Sequence, residues 1–212
     1  MKFAYNVIAG QNAERLAALS DGVFAIAMTL LVLDLRVPAR ESIHSEHDLS
    51  TALVHMAPRL LIWMMSFLTL GIFWVGQQTQ LNHLEKTDRD LTWIHLTFLL
   101  SVTLMPFSTS LLGEYVQLRV ALLEYWVNIL ASGVLLYWSW GHVTRKGLAK
   151  SDMPEDVPAA ICRRIVIAQS LYACGALLCL ISTYWSIGTI VLVQLNYAIA
   201  PRPGRKQKEP ED

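Results

Sequence analysis

Charge is the scarcest property of this sequence. Lys, Arg, Asp and Glu make up 16% of its 212 residues, against about 25% in soluble domains. With 54% hydrophobic residues and a mean hydropathy of +0.39, the shortfall excludes an ordinary soluble domain. Seventeen basic and seventeen acidic residues cancel to a formal net charge of zero, so bulk charge points to no nucleic acid and no acidic partner. Cysteine is scarce as well. The three, Cys162, Cys174 and Cys179, lie in or at the edge of one apolar segment; that odd number excludes a disulfide framework and a zinc site. The phosphate-binding pattern G-x-x-x-x-G-K-[ST], the H-E-x-x-H pair and the G-x-S-x-G elbow are all missing. The apolar blocks hold no paired carboxylates and no nucleophile with an obvious base, so neither an enzyme nor a cofactor is expected.

What the chain does have is long apolar runs. A polar arm at 1–14 leads into a first span at about 16–36, which is too long and too interrupted by Asp21 for a cleaved signal peptide. Further spans are expected at about 55–79, 91–112 and 118–141. The last block, 161–200, would be roughly 60 Å of helix, about twice the hydrocarbon thickness. It must fold back, and the segment Ser182–Gly188 is the expected turn, giving spans at about 161–182 and 185–200. The fold class is therefore all-α membrane protein with six transmembrane helices: one domain over 1–200 and a basic/acidic tail at 201–212. Six spans put both termini on one side. That side holds thirteen of the seventeen Lys and Arg; only Arg36, Arg40, Arg59 and Arg119 fall on the other. The positive-inside rule then places both termini in the cytoplasm.

The first span carries polar groups that hydrocarbon penalises. On a wheel of 100° per residue, Gly22, Thr29, Leu30 and Leu33 fall within about 60° of Ile26. Ser20 and Asp21 point elsewhere, toward neighbouring helices. An aliphatic stripe with one hydroxyl suits a pore constriction, because apolar rings gate by dewetting and hydroxyls replace part of an ion's hydration. Packing is the commoner reason for such a stripe. A polar set gathers near the cytoplasmic ends of the first three spans: Arg15, Ser20, Asp21, Gln77, Gln78, Trp93 and His95. It reads as a hydrogen-bond network fixing helix register rather than as a proton or ion relay. Pro106 is expected to kink the third span, with Ser101, Thr103, Ser108 and Thr109 serving the freed carbonyls. Glu124 lies near the end of the fourth span, within reach of the interface or a neighbour. His44, Glu46, His47 and Asp48 are ligand types in a polar loop, where such groups arise by chance, so no metal site is expected there.

RLAALSDGVFAIAMTLL at 15–31 resembles the first-helix signature of the transmembrane protein 175 family, matching it at Arg15, Ser20–Ala27 and Thr29–Leu31. SFLTLGIFW at 66–74 and LMPFSTSLLGEY at 104–115 resemble the second and third helices of bacterial members. The resemblance covers about the first 115 residues and implies a bacterial, inner-membrane homotetramer with the first helices around a central pore. Ile26, Leu30 and Leu33 would form successive constriction rings, and Thr29 the hydroxyl ring tied to potassium preference. The partners implied are potassium, other monovalent cations to a lesser extent, and the bilayer. The looped Thr-Val-Gly-Tyr-Gly filter is absent, so selectivity should be modest. A secondary transporter or a non-conducting assembly protein is the alternative; the former usually carries an internal repeat with broken helices, and spans four to six do not echo the first.

Three departures stand out. Leu19 replaces the Phe of Phe-Ser-Asp. Gly76, Gln77 and Gln78 stand where members often have Asn-His-His, and His95 where Asn is common. A compensating swap, with His95 donating toward Asp21, would bring pH sensitivity, since an unperturbed His titrates near pH 6.5.

Overall fold

The structure, a computed structural model, describes residues 12–199. The arm at 1–11 and the tail at 201–212 lie outside the described residues. Among these residues there are eight α-helices: α1 Ala13–Leu30, α2 Glu46–His55, α3 Ala57–Asn82, α4 Arg89–Thr103, α5 Met105–Glu114, α6 Arg119–Lys146, α7 Val157–Leu177 and α8 Thr183–Ile199. Tight 3-10 turns extend α1 over Leu31–Asp34 and α7 over Leu178–Leu180.

Local chemistry sets the ends of these helices. Asn12, Ser45 and Asp88 cap α1, α2 and α4, their side-chain oxygens accepting from the amides of Arg15, Asp48 and Leu91. An amide hydrogen near a helix start has no partner within the helix, and these side chains supply one. α3, α5 and α7 carry a proline in their first two positions, where its missing N–H costs nothing. Gly147 ends α6 at φ 62°, a left-handed turn that a side chain would oppose.

Among the described residues five segments are long and apolar enough to cross a membrane: Ala13–Asp34, Ala57–Asn82, Arg89–Glu114, Arg119–Lys146 and Val157–Leu180. α8 is helical from Thr183 to Ile199, the last described residue. These five agree with the first five expected spans, and α8 lies where the sixth was expected. The chain does fold back within the last apolar block, but at Ile181 and Ser182; most of the expected turn, from Thr183 onward, is already helix α8. A second departure is α2, which occupies part of the expected polar segment and packs loosely, with no buried residue.

The third span is broken where Pro106 demands it. The helix stops at Thr103 and resumes at Met105, because Pro106 has no amide hydrogen for the carbonyl of Val102. Hydroxyls of Ser101, Thr103 and Thr109 donate to the carbonyls of Phe98, Leu100 and Met105, each at 2.7 Å. Ser108 instead donates to Glu124 Oε1 at 3.0 Å, so Glu124 turns inward to α5.

α3 is the hub, touching α1, α5, α6 and α8. Lipid tails are as apolar as leucine, so packing and interhelical hydrogen bonds hold such bundles together. One chain of buried hydroxyls and amides joins four helices: Gln194 donates to Thr69, Thr69 and Ser66 meet the Tyr125 hydroxyl, and Thr109 donates to Ser66. Phe24, Ala27 and Leu31 of α1 pack into the same core as Met65, Leu70, Phe98 and Ile129. The cysteines are free; Cys179 is buried and Cys174 faces outward.

At the end of the bundle where α3 and α6 finish, two loops are clasped: Lys150 N–H donates to the His83 carbonyl and Glu85 N–H to that of Leu148, both at 2.9 Å. Asp88 fastens this end further, its Oδ2 lying 2.8 Å from His142 Nε2 on α6. Burial pushes the Asp88 carboxyl up, but the Leu91 amide and His142 outweigh it and hold its pKa below the ordinary value. A depressed carboxyl pKa adds stability above the unfolded-state value near 3.9, and that stability is lost as pH falls through the folded value. Asp88→Ala should therefore cost about 1 kcal/mol as a lost cap. Thermal unfolding followed from pH 7 to pH 3 should show the gap between variant and wild type closing at the acid end.

Candidate pore helix and its polar clamp

α1 has two unlike sides. Leu16, Ser20, Phe24, Ala27 and Leu31 are buried and recur at the three- and four-residue steps of one helical face. On the opposite side Ile26, Leu30 and Leu33 are 61%, 43% and 72% exposed. Thr29 is exposed beside them, and a Cβ added at Gly22 would meet nothing within 4 Å. Among the described residues nothing covers this aliphatic side.

Two details sharpen the face. The Thr29 hydroxyl donates to the Ile26 carbonyl at 2.8 Å, so its hydrogen is spent inside the helix and the oxygen presents lone pairs outward. The last turn, Leu31–Asp34, is 3-10, and in that geometry residues three apart eclipse. Leu33 therefore stacks almost directly beyond Leu30, where a uniform 100° wheel would offset them by about 60°. Asp34 ends this turn, its Oδ1 accepting from Ser110 on α5 at 2.7 Å.

The other side of α1 is held by polar contacts. Asp21 Oδ1 accepts from Trp74 Nε1 at 2.8 Å and from Gln78 Nε2 at 2.6 Å. Trp74 and Gln78 are one helical turn apart on α3, so both reach the same carboxylate. A parallel chain is fully buried: the Gln77 amide nitrogen donates to Ser20 Oγ and meets His95 Nδ1, each at 3.1 Å, while His95 Nε2 lies 3.1 Å from Ser139 Oγ on α6. Ser20 in turn donates to the Leu16 carbonyl. This set crosses α1, α3, α4 and α6.

Membership of the set differs from the sequence expectation at two residues, Trp93 and Arg15, and a third, His95, belongs to it with other partners than expected. His95 does not reach Asp21; its two nitrogens meet an amide donor and a hydroxyl, which a neutral ring satisfies, and the route from His95 to the Asp21 carboxylate is lost. Trp93 is 59% exposed and points away. Arg15 is exposed, its backbone amide donating to the Asn12 side chain, and among the described residues it joins no member of the set. Ser20, Asp21, Gln77, Gln78 and His95 are joined. Trp74, Ser139 and Asp34 were missed. The four-residue step from Trp74 to Gln78 was the available signal for the first; nothing in sequence marked Ser139. Of the polar loop group, Asp48 is engaged by Ser45 and the His44 amide. Asp88, Asp90 and His142 bring ligand atoms within 4.8 Å of one another, but Asp88 and His142 are already committed to each other and to the α4 cap.

Comparison with known proteins gives this geometry a setting. The family model of the endosomal/lysosomal potassium channel TMEM175 matches residues 15–106, the stretch that holds α1 and its clamp on α3 and α4. A Streptomyces collinus protein named as a potassium channel is 35% identical over 158 residues, covering 73% of this chain and 75% of the relative. One from Chamaesiphon minutus, also named as a potassium channel, is 31% identical over 189 residues, covering 87% and 93%. The crystal structure of a lysosomal potassium-selective channel TMEM175 homologue from Chamaesiphon minutus superposes with a TM-score of 0.75 at 29% identity, over 88% of this chain and 96% of that one. Sequence likeness along most of the length of bacterial relatives, together with a shared arrangement of helices, makes this chain a multi-pass membrane protein that belongs to the TMEM175 family, a family of ion channels.

Proposed function

We propose that the protein is a potassium-preferring cation channel of the bacterial inner membrane, conducting passively down the gradient. The subunit has six spans, α8 serving as the sixth, with both termini cytoplasmic. Four subunits assemble with one α1 each around a central axis. Ile26, Leu30 and Leu33 form the hydrophobic constriction, with Leu30 and Leu33 stacked by the 3-10 turn into one continuous apolar collar. Thr29 offers its oxygen lone pairs to a partly dehydrated cation, and potassium is favoured over other monovalent cations only modestly.

The observation that carries this reading is the bare aliphatic side of α1, opposite a side locked by Asp21 and the buried Ser20–Gln77–His95–Ser139 chain. A helix held so firmly on one side keeps its other side at a fixed rotation, which a ring-shaped constriction requires. Relatives named as potassium channels support the choice of ion. The clamp is structural and takes no part in conduction. The test is reconstitution: potassium-loaded liposomes containing the purified protein lose potassium passively, with no co-ion and no ATP. A folded, oligomeric protein that gives no potassium flux overturns the reading, and flux that depends on a second ion supports a transporter.

A further inference from the structure

A partly open cavity of about 100 Å³ lies away from α1, between α3, α6 and α7, with Tyr197 of α8 at its edge. Its walls are mostly apolar and include Gly76, Leu136 and Ile161. Since a single water needs only about 10–15 Å³ by this kind of measure, there is room for a larger guest.

Four polar features of the lining stand out: two amide oxygens and the Tyr172 hydroxyl, all buried without a hydrogen-bond partner, and Arg164. Gln80 is 1% exposed; its amide nitrogen donates to the Leu136 carbonyl at 3.0 Å, and its amide oxygen is buried without a donor. The Gln169 amide oxygen is buried without a donor too. A buried acceptor left unpaired costs about 1–3 kcal/mol, so native proteins fill such positions with ligand or water. The fourth feature is Arg164. Its guanidinium lies 5.5 Å from the centre of the Tyr197 ring, and among the described residues the ion pairs are Arg59–Glu114 and Asp88–His142, so none of their carboxylates pairs with it. It stands seven residues into α7, roughly 10 Å along the helix. At that depth a cation seeks an anion or the headgroup layer.

We infer that this cavity is a phospholipid site, holding an acyl chain between α3, α6 and α7 while Arg164 binds the phosphate and the Gln80 and Gln169 oxygens accept from headgroup hydroxyls. Charge and hydrogen-bond type select the occupant. The site offers one cation, the Tyr172 hydroxyl and two amide acceptors, so the complement is an anionic phosphate bearing hydroxyl donors on an apolar tail, as in phosphatidylglycerol. Basic pockets between transmembrane helices bind anionic headgroups by the same chemistry. The inference does not depend on whether the α1 ring conducts.

Delipidated full-length protein in detergent, titrated with phosphatidylglycerol, phosphatidylcholine or glycerol 3-phosphate and read by native mass spectrometry, tests it. Phosphatidylglycerol should occupy one tight site per chain, with phosphatidylcholine at least about tenfold weaker, because its headgroup keeps the phosphate but brings a cation beside Arg164 and no hydroxyl for the amide oxygens; glycerol 3-phosphate should not bind. Arg164→Gln should weaken phosphatidylglycerol by a similar factor, while Arg163→Gln, an exposed neighbour outside the cavity, should not. Gly76→Leu should abolish binding by filling the cavity, since its Cβ would lie 3.7 Å from Leu136. Arg164 is exposed, so its variant folds and decides the matter even if Gly76→Leu does not. Equal retention of both lipids, or no effect of Arg164→Gln, overturns the proposal and leaves a hydrated cavity. Tight binding of glycerol 3-phosphate overturns the lipid source in favour of a soluble phosphate.

Discussion

Ile26→Asn raises potassium flux and narrows the difference between potassium and sodium. Ile26 is 61% exposed on α1, so replacing it removes little packing from the subunit, and surface changes of this kind shift stability by only about 0.5 kcal/mol. What changes is the collar. An aliphatic ring repels water, and an ion crossing it must shed hydration that nothing replaces. A ring of amides keeps the constriction wet. Lowering the barrier by about 1.4 kcal/mol gives a roughly tenfold rise in rate. Flux from liposomes under potassium and then sodium gradients measures both effects. An unchanged rate from a variant that keeps its thermal stability would move the constriction away from Ile26.

Asp21→Ala has the largest structural effect. It strips the acceptor from Trp74 Nε1 and Gln78 Nε2 together. Hydrogen bonds to a charged group contribute about 1.5–3 kcal/mol each, and at this exposed end of the bundle water replaces part of that, so a loss of about 1–3 kcal/mol is expected. α1 is then free to rotate on its axis, and the collar loses its shape. The variant should unfold at lower temperature and carry little selective flux. Asp21→Asn keeps a carbonyl oxygen toward the two donors and should fall between. Trp74→Phe should reproduce part of the loss. Thermal unfolding and flux measured on the same preparations separate destabilisation from a direct effect on conduction; unaltered melting in Asp21→Ala would show that the clamp does not hold the helix.

The parts of this fold that were legible are those fixed by length and by single-residue chemistry. Runs of 22 to 28 residues announce helices, because nothing else satisfies the backbone in lipid. Pro106 announced the break at Leu104 through its missing amide hydrogen. The division of α1 into a bare side and a held side followed from the period of 3.6. Three things were hidden. α2 begins with Glu46, His47 and Asp48, and that polarity hid a helix whose signals were the Ser45 cap and the Leu49–Leu53 step. The collar's stacking depends on a switch to 3-10 at Leu31, which a uniform wheel cannot register. The partners of Asp21 depend on how α3 and α4 rotate about their axes, and sequence fixes a helix's ends far better than its rotation. Trp93 and His95 are both near the right end of the bundle, yet Trp93 turns outward and His95 is taken by Gln77 and Ser139.

The central claim is that the bare side of α1 lines the path of the ion. Cadmium block of a cysteine variant tests it most directly. With Cys162, Cys174 and Cys179 replaced by alanine, Ile26→Cys would place a ring of thiols at the constriction, and soft thiolate ligands hold such a metal tightly. Micromolar cadmium is expected to block potassium flux through Ile26→Cys and to leave Val166→Cys, on the exposed side of α7, unaffected. Undiminished flux through Ile26→Cys in the presence of cadmium would contradict the account.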